Sequence, residues 1–297
     1  MELYGGLETG GTTWRAVVGT GPHDIREVLD YPIGEPEETI GRAVDFFAGH
    51  RPLAGVGIGS FGPVERDRSS PRWGQITTTP KPGWAFVDVA GPIGRALGVP
   101  IGFDTDVNAA ALGEHRWGAA QDVDTFCYVT VGTGIGGGVI AGGHVLSGLG
   151  HPEFGHQSIR RDRSADDFAG SCPYHGDCWE GLASATAMRA RWSREPHQLA
   201  DDHPGWDLEA EHLALGLANV VYVLSPQRIV LGGGVLRRPG LHERVRTRLV
   251  ATVNDYLQLP ALGVDLASYV CPPGLGDRSG SLGAVALGQA AAGAARG

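Results

Sequence analysis

The sequence predicts an α/β fold built from two similar lobes. Predicted strands alternate with predicted helices along the chain, which is typical of α/β proteins. Residues 7–17 and 129–139 each combine a strand, a turn of glycine and threonine, and a second strand. Because these two hairpins open the two halves of the chain, we expect a duplicated fold whose lobes face a cleft.

The first half of the chain begins with a predicted β-hairpin. Strand-like residues 2–7 and 13–19 flank the turn, whose sequence is Glu-Thr-Gly-Gly-Thr at residues 8–12. The elements expected next are a helix over 36–49, a buried strand over 55–59, a long structured loop over 60–86, a helix over 87–97, a strand over 100–104 and a helix over 106–118. Long ordered loops in compact domains often carry function.

The second half opens with a predicted hairpin over 126–131 and 138–141. A charged loop over 150–178 follows, and a helix is expected to begin near Trp179. Residues 207–224 carry apolar side chains at helical spacing. The remaining predicted elements are a connector over 192–206, a strand over 228–231, a helix over 241–257, a strand near 268–271 and a helix near 280–293. We therefore expect lobes at 1–118 and 119–297, with the last helix able to pack on the first lobe.

Composition narrows the class of protein. The 297 residues carry a formal net charge of −9, whereas nucleic-acid-binding surfaces are basic, so we expect no nucleic-acid partner. No leader pattern and no run of the ~18 apolar residues that span a bilayer is evident. We expect a cytoplasmic protein without a membrane partner, with reduced cysteines. Lys81, the only lysine, lies between two prolines, which excludes a Walker phosphate loop.

The glycine-rich turns are candidate phosphate-binding elements. They contain Gly10, Gly11 and Thr12 in the first hairpin and Thr133 and Gly134 in the second. Glycine lets backbone N–H groups approach an anion closely, although each turn alone is more typical of an ordinary hairpin. Residues 132–137 also have the spacing of a dinucleotide-binding fingerprint. That motif must open a helix, and the β-like sequence that follows argues against a Rossmann dehydrogenase.

Asp106 is the candidate general base. It follows a predicted strand and begins a predicted helix, a position at which α/β folds bind ligands. A carboxylate there can accept the proton of a hydroxyl group that attacks phosphorus. The alternative is that Asp106 only caps the helix. Asp104, which precedes the turn, is a weaker second candidate for the base.

A cluster of cysteines and histidines predicts a structural zinc site. Cys172, His175 and Cys178 have the spacing C-x2-H-x2-C, and His156 lies upstream. Two thiolates and two imidazoles complete a closed tetrahedral site, so the zinc is expected to hold the loop rather than to do chemistry. His151 is the alternative fourth ligand.

Together these motifs resemble the ROK sugar kinases, a family of the actin-like ATPase superfamily, over essentially the whole chain. The segments that carry the resemblance are 9–12 and 132–136 for the two phosphate motifs, 231–235 for the adenosine motif, 105–114 for the catalytic helix, and 153–156 and 172–180 for the sugar-and-zinc motif and zinc loop. Within the family, the pattern resembles the bacterial fructokinases. The features shared with that branch are segments 8–12, 57–64, 77–84 and 151–156 and a histidine as the third zinc ligand.

The resemblance implies an actin-like, ribonuclease-H-like fold and a role for each motif. Asp106 would be the general base. Glu153, His156 and Glu180 would bind the other sugar hydroxyls, with Asn108 as a further substrate-binding residue, and His156 would use one ring nitrogen for zinc and the other for sugar. The ATP-binding residues would be Gly10, Gly11 and Thr12 at the γ-phosphate, Thr133 and Gly134 at the phosphates, and Gly232, Gly233 and Gly234 at the adenosine. Mg²⁺ would arrive with the nucleotide.

The expected function is ATP-dependent phosphorylation of D-fructose to fructose 6-phosphate by a homodimer. The alternatives are another ROK sugar kinase, acting on glucose, mannose or N-acetylmannosamine, and a sugar sensor without catalysis. A DNA-binding repressor is not expected, because the chain starts directly at the first hairpin.

Three positions depart from the family pattern. Glu8 stands where the first motif usually has aspartate, and Thr13 follows the Gly-Gly-Thr turn where a lysine is usual. Thr105 replaces an asparagine that many members carry before the catalytic aspartate and that helps to bind glucose-type sugars. The last difference weakens a glucokinase interpretation.

Overall fold

Two mixed five-stranded sheets form the framework of the protein. The computed structural model describes residues 2–164, 166–263 and 265–296. Each sheet belongs to one of two compact units of the chain. Unit 1 consists of Met1–Gln121, Ser147–Gly150 and Gly274–Gly297, and unit 2 of Asp122–Leu146 and His151–Pro273.

The sheet of unit 1 has the strand order β3-β2-β1-β4-β5. Its strands are β1 (Leu3–Thr9), β2 (Thr13–Gly21), β3 (Asp24–Pro32), β4 (Leu53–Ser60) and β5 (Ile101–Thr105). The first three strands pair antiparallel, and β1, β4 and β5 run parallel. In β2, Trp14, Ala16 and Val18 on one face and Val17 on the other are all buried, as expected for a strand in a sheet that is covered on both faces.

The sheet of unit 2 has the same topology. Its strands are β6 (Phe126–Val131), β7 (Ile135–Ala141), β8 (His144–Val145), β9 (Arg228–Gly232) and β10 (Val270–Cys271). Their order is β8-β7-β6-β9-β10, with three antiparallel strands followed by two parallel ones. The two predicted hairpins are therefore confirmed, and each occupies the same place in its own sheet.

Helices cover the sheets. They are α1 (Pro36–Ala48), α2 (Ala90–Leu97), α3 (Asp106–Trp117), α4 (Trp179–Ala183), α5 (Ala185–Trp192), α6 (Gly205–Leu224), α7 (Leu241–Val253), α8 (Pro260–Gly263), α9 (Leu266–Tyr269) and α10 (Ser279–Ala294). In α1, Ile40, Ala43 and Phe47 are buried on one face, at the spacing of an amphipathic helix. None of the helices in the described ranges is both long and apolar enough to cross a membrane.

The last helix lies in unit 1, directly on its sheet. A side chain at Gly57 of β4 would clash with the carbonyl oxygen of Ala284, and a side chain at Gly283 would clash with the carbonyl oxygen of Ala109 in α3. Leu282 and Val285 are buried in the same helix. Glycine at the two contact positions lets the backbones of α10, β4 and α3 approach closely, which fixes the height of α3 above the sheet.

Three details differ from the sequence prediction. Strand β3 was not predicted, because it is a largely exposed edge strand in which charged and apolar residues are mixed without regular alternation. Helix α7 ends at Val253, where Asn254 and Asp255 adopt left-handed φ values of 50° and 57°. The strand predicted near 268–271 is present as β10 but is confined to Val270 and Cys271, because helix α9 occupies the preceding residues and is capped at its start by the side chain of Asp265, which accepts the N–H of Ser268.

The close packing of α10 on β4 yields a stability prediction. Gly57→Ala should lower the free energy of unfolding by about 3 kcal/mol, because the added methyl group overpacks a rigid backbone contact. Gly41→Ala is the matched control: an alanine there meets no atom within 4 Å, and helix propensity should raise stability by about 0.5–1 kcal/mol. Denaturant unfolding measures both, and equal effects would contradict the packing argument.

Candidate functional site

The carboxyl ends of β1, β4 and β5 bring polar residues to one edge of unit 1. The parallel register pairs Glu8 with Gly59 and Gly59 with Asp104. Thr105 ends β5, and Asp106 is the first residue of α3. Because parallel strands align their carboxyl ends, residues about 100 positions apart in sequence become neighbours here, at the edge where open α/β sheets bind ligands.

Asp104 is held in a buried ion pair. Its side chain accepts hydrogen bonds from Arg66 Nη2 at 2.8 Å and from Asn108 Nδ2 at 2.7 Å. The residue is only 6% exposed, and Asn108 is 1% exposed. Asn108 Oδ1 is buried and has no hydrogen-bond partner among the residues that the structure describes. Both carboxylate oxygens of Asp104 are thus hydrogen-bonded within the protein: Oδ2 accepts from Arg66, and Oδ1 accepts from Asn108 and from the backbone N–H of Thr105.

Asp106 is not the N-cap of α3. That role falls to Thr105, whose Oγ1 accepts the N–H of Asn108 at 3.1 Å. Asp106 is partly exposed, and one of its oxygens accepts the N–H of Val107 at 2.9 Å. The start of a helix favours a negative charge. The structure therefore leaves Asp106, rather than Asp104, as the accessible carboxylate at this edge.

Glu8 lies close to Asp106. Burial of its carboxyl group, reinforced by the negative charge of Asp106, raises the pKa of Glu8 to about 7. Arg15 and the backbone of Ser281 act in the opposite direction. The carboxyl group packs against Gly280, where any side chain would clash with it. The edge therefore holds two carboxyl groups whose negative charges repel each other.

The first glycine turn joins β1 to β2. Gly10 donates its N–H to the carbonyl oxygen of Thr13 at 3.0 Å, and Ile33 donates to the carbonyl oxygen of Thr12 at 3.0 Å. Gly11 and Thr12 are exposed. Lys81 Nζ donates to the carbonyl oxygen of Gly11 at 2.8 Å. No local spacing predicts this last contact, because 70 residues separate the two partners.

The second glycine turn, in unit 2, is closed in a similar way. Gly132 donates its N–H to the carbonyl oxygen of Gly134 at 2.9 Å, and Thr186 Oγ1 donates to the carbonyl oxygen of Thr133 at 2.8 Å. The glycine run after β9 lies beside it: Gly233 has a φ of 99°, and a side chain there would clash with Val131, the last residue of β6. The structure thus brings Gly233 against Val131, the residue that precedes the second glycine turn.

Two carboxylates of unit 2 also lie near this turn. Glu180 Oε2 accepts the N–H of Ile135 at 2.9 Å. Burial, followed by the negative charge of Glu180, raises the pKa of Glu153 to about 7. His151 Nδ1 lies 3.3 Å from Glu153 Oε1. Glu153 and Glu180 therefore form a second pair of interacting acidic groups.

His156, Cys172, His175 and Cys178 meet in one cluster. Their candidate ligand atoms all lie within 4.8 Å of one another. His156 Nδ1 is 3.7 Å from both sulfur atoms, and His175 Nδ1 is 3.7 Å from Cys172 Sγ. Tetrahedral zinc, with bonds of about 2.3 Å to sulfur and about 2.05 Å to nitrogen, separates such atoms by about 3.6 Å. The donor set fits zinc, and it contains His156 rather than His151.

The raised pKa of Glu8 predicts a pH-dependent stability. Below pH ~4.5 the group is protonated in the folded and unfolded chains alike. As the pH rises from there to about 7, only the unfolded chain loses the proton, so folding is progressively penalised. Glu8→Gln should therefore raise the thermal midpoint by several degrees at pH 8 and by little at pH 5.

Differential scanning calorimetry at several pH values checks this. Asp106→Asn, which removes the neighbouring charge, should weaken the pH dependence of the wild-type protein. A gain from Glu8→Gln that is the same at pH 5 and pH 8 would contradict the electrostatic cause.

Comparison with known proteins identifies a matching family profile and relatives of similar length. A sequence profile described as the ROK family matches residues 4–291. The fructokinase of Zymomonas mobilis subsp. mobilis is 43% identical over 297 residues, covering 98% of this chain and 97% of that protein. The fructokinase of Pediococcus pentosaceus is 37% identical over 289 residues, covering 97% and 98%.

A solved structure has the same fold. The ROK hexokinase from Thermus thermophilus matches with a TM-score of 0.76 at 27% identity, covering 99% of this chain and 100% of that chain. This match and the repeated sheet topology confirm the predicted actin-like, duplicated α/β fold. With a family profile across nearly the whole sequence and full-length relatives of this identity, the chain belongs to the ROK family.

Proposed function

We propose that this protein is an ATP-dependent fructokinase, which transfers the γ-phosphoryl group of ATP to the 6-hydroxyl group of D-fructose. The observation that carries the proposal is the partly exposed Asp106 at the carboxyl edge of the unit 1 sheet, the edge at which open α/β sheets bind ligands. The full-length relatives named fructokinase support the choice of sugar.

Asp106 would act by accepting a proton. The oxygen at C6 of fructose attacks the γ-phosphorus, and the bond from that phosphorus to the bridging oxygen of ADP breaks. The hydroxyl proton passes to the Asp106 carboxylate, so the products are fructose 6-phosphate and ADP. Thr105 caps α3 and Asp104 is committed to Arg66, whereas Asp106 is a partly exposed carboxylate at the same edge. Phosphoryl transfer otherwise depends on positioning and charge neutralisation.

The backbone turns would hold the nucleotide. Gly10 to Thr12 would bind the γ-phosphate side, Thr133 and Gly134 the neighbouring phosphates, and Gly232 to Gly234 the adenosine. Close contact between Gly233 and Val131 supports the last two assignments, because it places the glycine run beside the second turn. Mg²⁺ bound with ATP would neutralise phosphate charge.

The sugar would be bound by Glu153, His156 and Glu180, with Asn108 as a further contact. Glu180 already accepts the N–H of Ile135, so it links the sugar-binding group to the second turn. His156 presents Nδ1 to the two cysteines, which leaves Nε2 for a hydroxyl group. The unpartnered Oδ1 of Asn108 would accept a sugar hydroxyl once substrate binds.

We propose one structural zinc ion per chain, held by His156, Cys172, His175 and Cys178. All four positions of the metal would be filled by protein, so it would stabilise the loop and orient His156. The resemblance also supports a homodimer as the working form.

Asp106→Asn tests the proposed base. It should lower kcat for fructose phosphorylation by about 1,000-fold, the scale of general-base catalysis, while calorimetry still shows ADP binding. Asp45→Asn, an exposed carboxylate on α1, is the matched control and should retain full activity. A kcat of Asp106→Asn within tenfold of the wild-type value would contradict the assignment of Asp106 as the general base.

Metal analysis tests the zinc. The purified protein should contain about one zinc per chain, and Cys178→Ser should lose most of it and unfold at a lower temperature. Cys271→Ser, at a cysteine outside the cluster, should keep the zinc. A stable, active and zinc-free wild-type protein would refute the proposal.

A further inference from the structure

Lys81 joins a distant loop to the first glycine turn. It is the only lysine in the sequence, and its Nζ donates to the carbonyl oxygen of Gly11 at 2.8 Å. An ammonium group has three donors, and this contact uses one of them. Lys81 forms no ion pair with any carboxylate among the described residues, since this carbonyl contact is the only one its side chain makes there.

The loop backbone presents Lys81 in a defined turn. Trp84 donates its N–H to the carbonyl oxygen of Lys81 at 3.2 Å, which closes a four-residue turn. Pro82 occupies the second position, and Gly83, with a φ of 79°, occupies the third. Proline followed by a glycine of positive φ is the signature of a type II turn, so the sequence itself fixes the backbone at Lys81.

Trp84 anchors this turn to the strand that leaves the glycine turn. Its indole is 1% exposed, and its ring centroid lies 5.3 Å from that of Trp14 on β2 and 5.7 Å from that of Phe61. The indole N–H donates to the carbonyl oxygen of Gly34 at 3.2 Å. Because Trp14 directly follows Thr13, the anchor holds Lys81 against the same hairpin that forms the turn.

The first glycine turn has unpaired backbone N–H groups close to the Lys81 ammonium group. The N–H groups of Gly11 and Thr12 make no hydrogen bond to another residue in the described part of the chain, and both residues are exposed. By contrast, the nearby cation of Arg15 is neutralised by Asp30, at 2.7 Å. An uncompensated ammonium group next to two unpaired backbone donors favours an anion, above all a phosphate.

We propose that Lys81 binds the transferred phosphoryl group, first as the γ-phosphate of ATP and then as the phosphate of the sugar product. The inference rests on the proposed kinase function and adds a residue to it. Lys81 brings a cation to this turn from 70 residues away in the sequence.

Kinetics provide the first test. Lys81→Met keeps the length of the side chain without its charge, and it should lower kcat/KM for ATP by roughly 100-fold, the scale of losing one charge-stabilising donor. Lys81→Arg should recover a large part of the loss. Arg72→Ala, which removes an exposed cation from the same loop, should leave the kinetics unchanged. Lys81→Met within twofold of the wild type would overturn the proposal.

Binding separates a phosphate contact from a merely structural one. AMP-PNP carries a third phosphoryl group and ADP does not. Calorimetry with Mg²⁺ should show that Lys81→Met binds AMP-PNP about tenfold more weakly, as for one lost charged contact, with ADP binding unchanged. Equal weakening of both nucleotides would indicate only a disturbed turn and would count against the proposal.

The single lysine also permits a test without substitution. Reductive methylation with ¹³C-formaldehyde labels Lys81 and the α-amino group, so the dimethyl-lysine gives one resolved NMR signal. That signal should shift when Mg²⁺ and AMP-PNP are added and shift little with ADP, while the α-amino signal serves as an internal control. A lysine signal indifferent to AMP-PNP would refute the contact.

The outcomes also distinguish this inference from the proposed function. Normal fructose phosphorylation by Lys81→Met would remove Lys81 from the mechanism and leave the kinase intact. Absence of turnover in the wild-type protein would refute the proposed kinase function. The NMR response to AMP-PNP would then decide separately whether Lys81 binds phosphate.

Discussion

The parallel pairing of β1, β4 and β5 is the constraint on which the candidate site of unit 1 depends. This pairing alone brings Glu8 and Asp106 to one edge, although they are far apart in sequence. It requires helices close above the strands, and Gly57 and Gly283 permit that approach at backbone distance. The height of α3, and with it the position of Asp106, therefore follows from residues that never touch a substrate.

The sheet of unit 2 has the same topology as that of unit 1, but different contacts stabilise its turn and its acidic residues. Its hairpin turn is bound to Thr186 and flanked by Gly233. The carboxylate of Glu180 is fastened to the N–H of Ile135, and the cysteine and histidine cluster includes the neighbouring Cys178. A metal in that cluster would hold a segment with few regular elements, which explains how a polar loop can present Glu153 and His156 in fixed positions.

Local sequence patterns predicted most of the fold. Hairpins, helical stripes and glycine turns depend on neighbouring residues, and the cysteine spacing predicted the cluster that the structure assembles. Features set by tertiary structure were missed. The exposed strand β3 has no apolar periodicity, the ion pair of Asp104 with Arg66 spans 38 residues, and the contact between Lys81 and Gly11 spans 70. From the sequence, Lys81 indicated only that a Walker loop is absent, because no local pattern connects this residue with the first turn.

The proposed activity is the transfer of the γ-phosphoryl group from ATP to fructose. The most direct measurement is ADP release by the zinc-loaded protein with Mg²⁺ and ATP, across fructose, glucose, mannose and N-acetylmannosamine, with the product identified by ³¹P NMR. The highest kcat/KM is expected with fructose, with one fructose 6-phosphate formed for each ADP. Higher efficiency on another sugar would contradict the substrate assignment, and no turnover on any of the four would contradict the kinase itself.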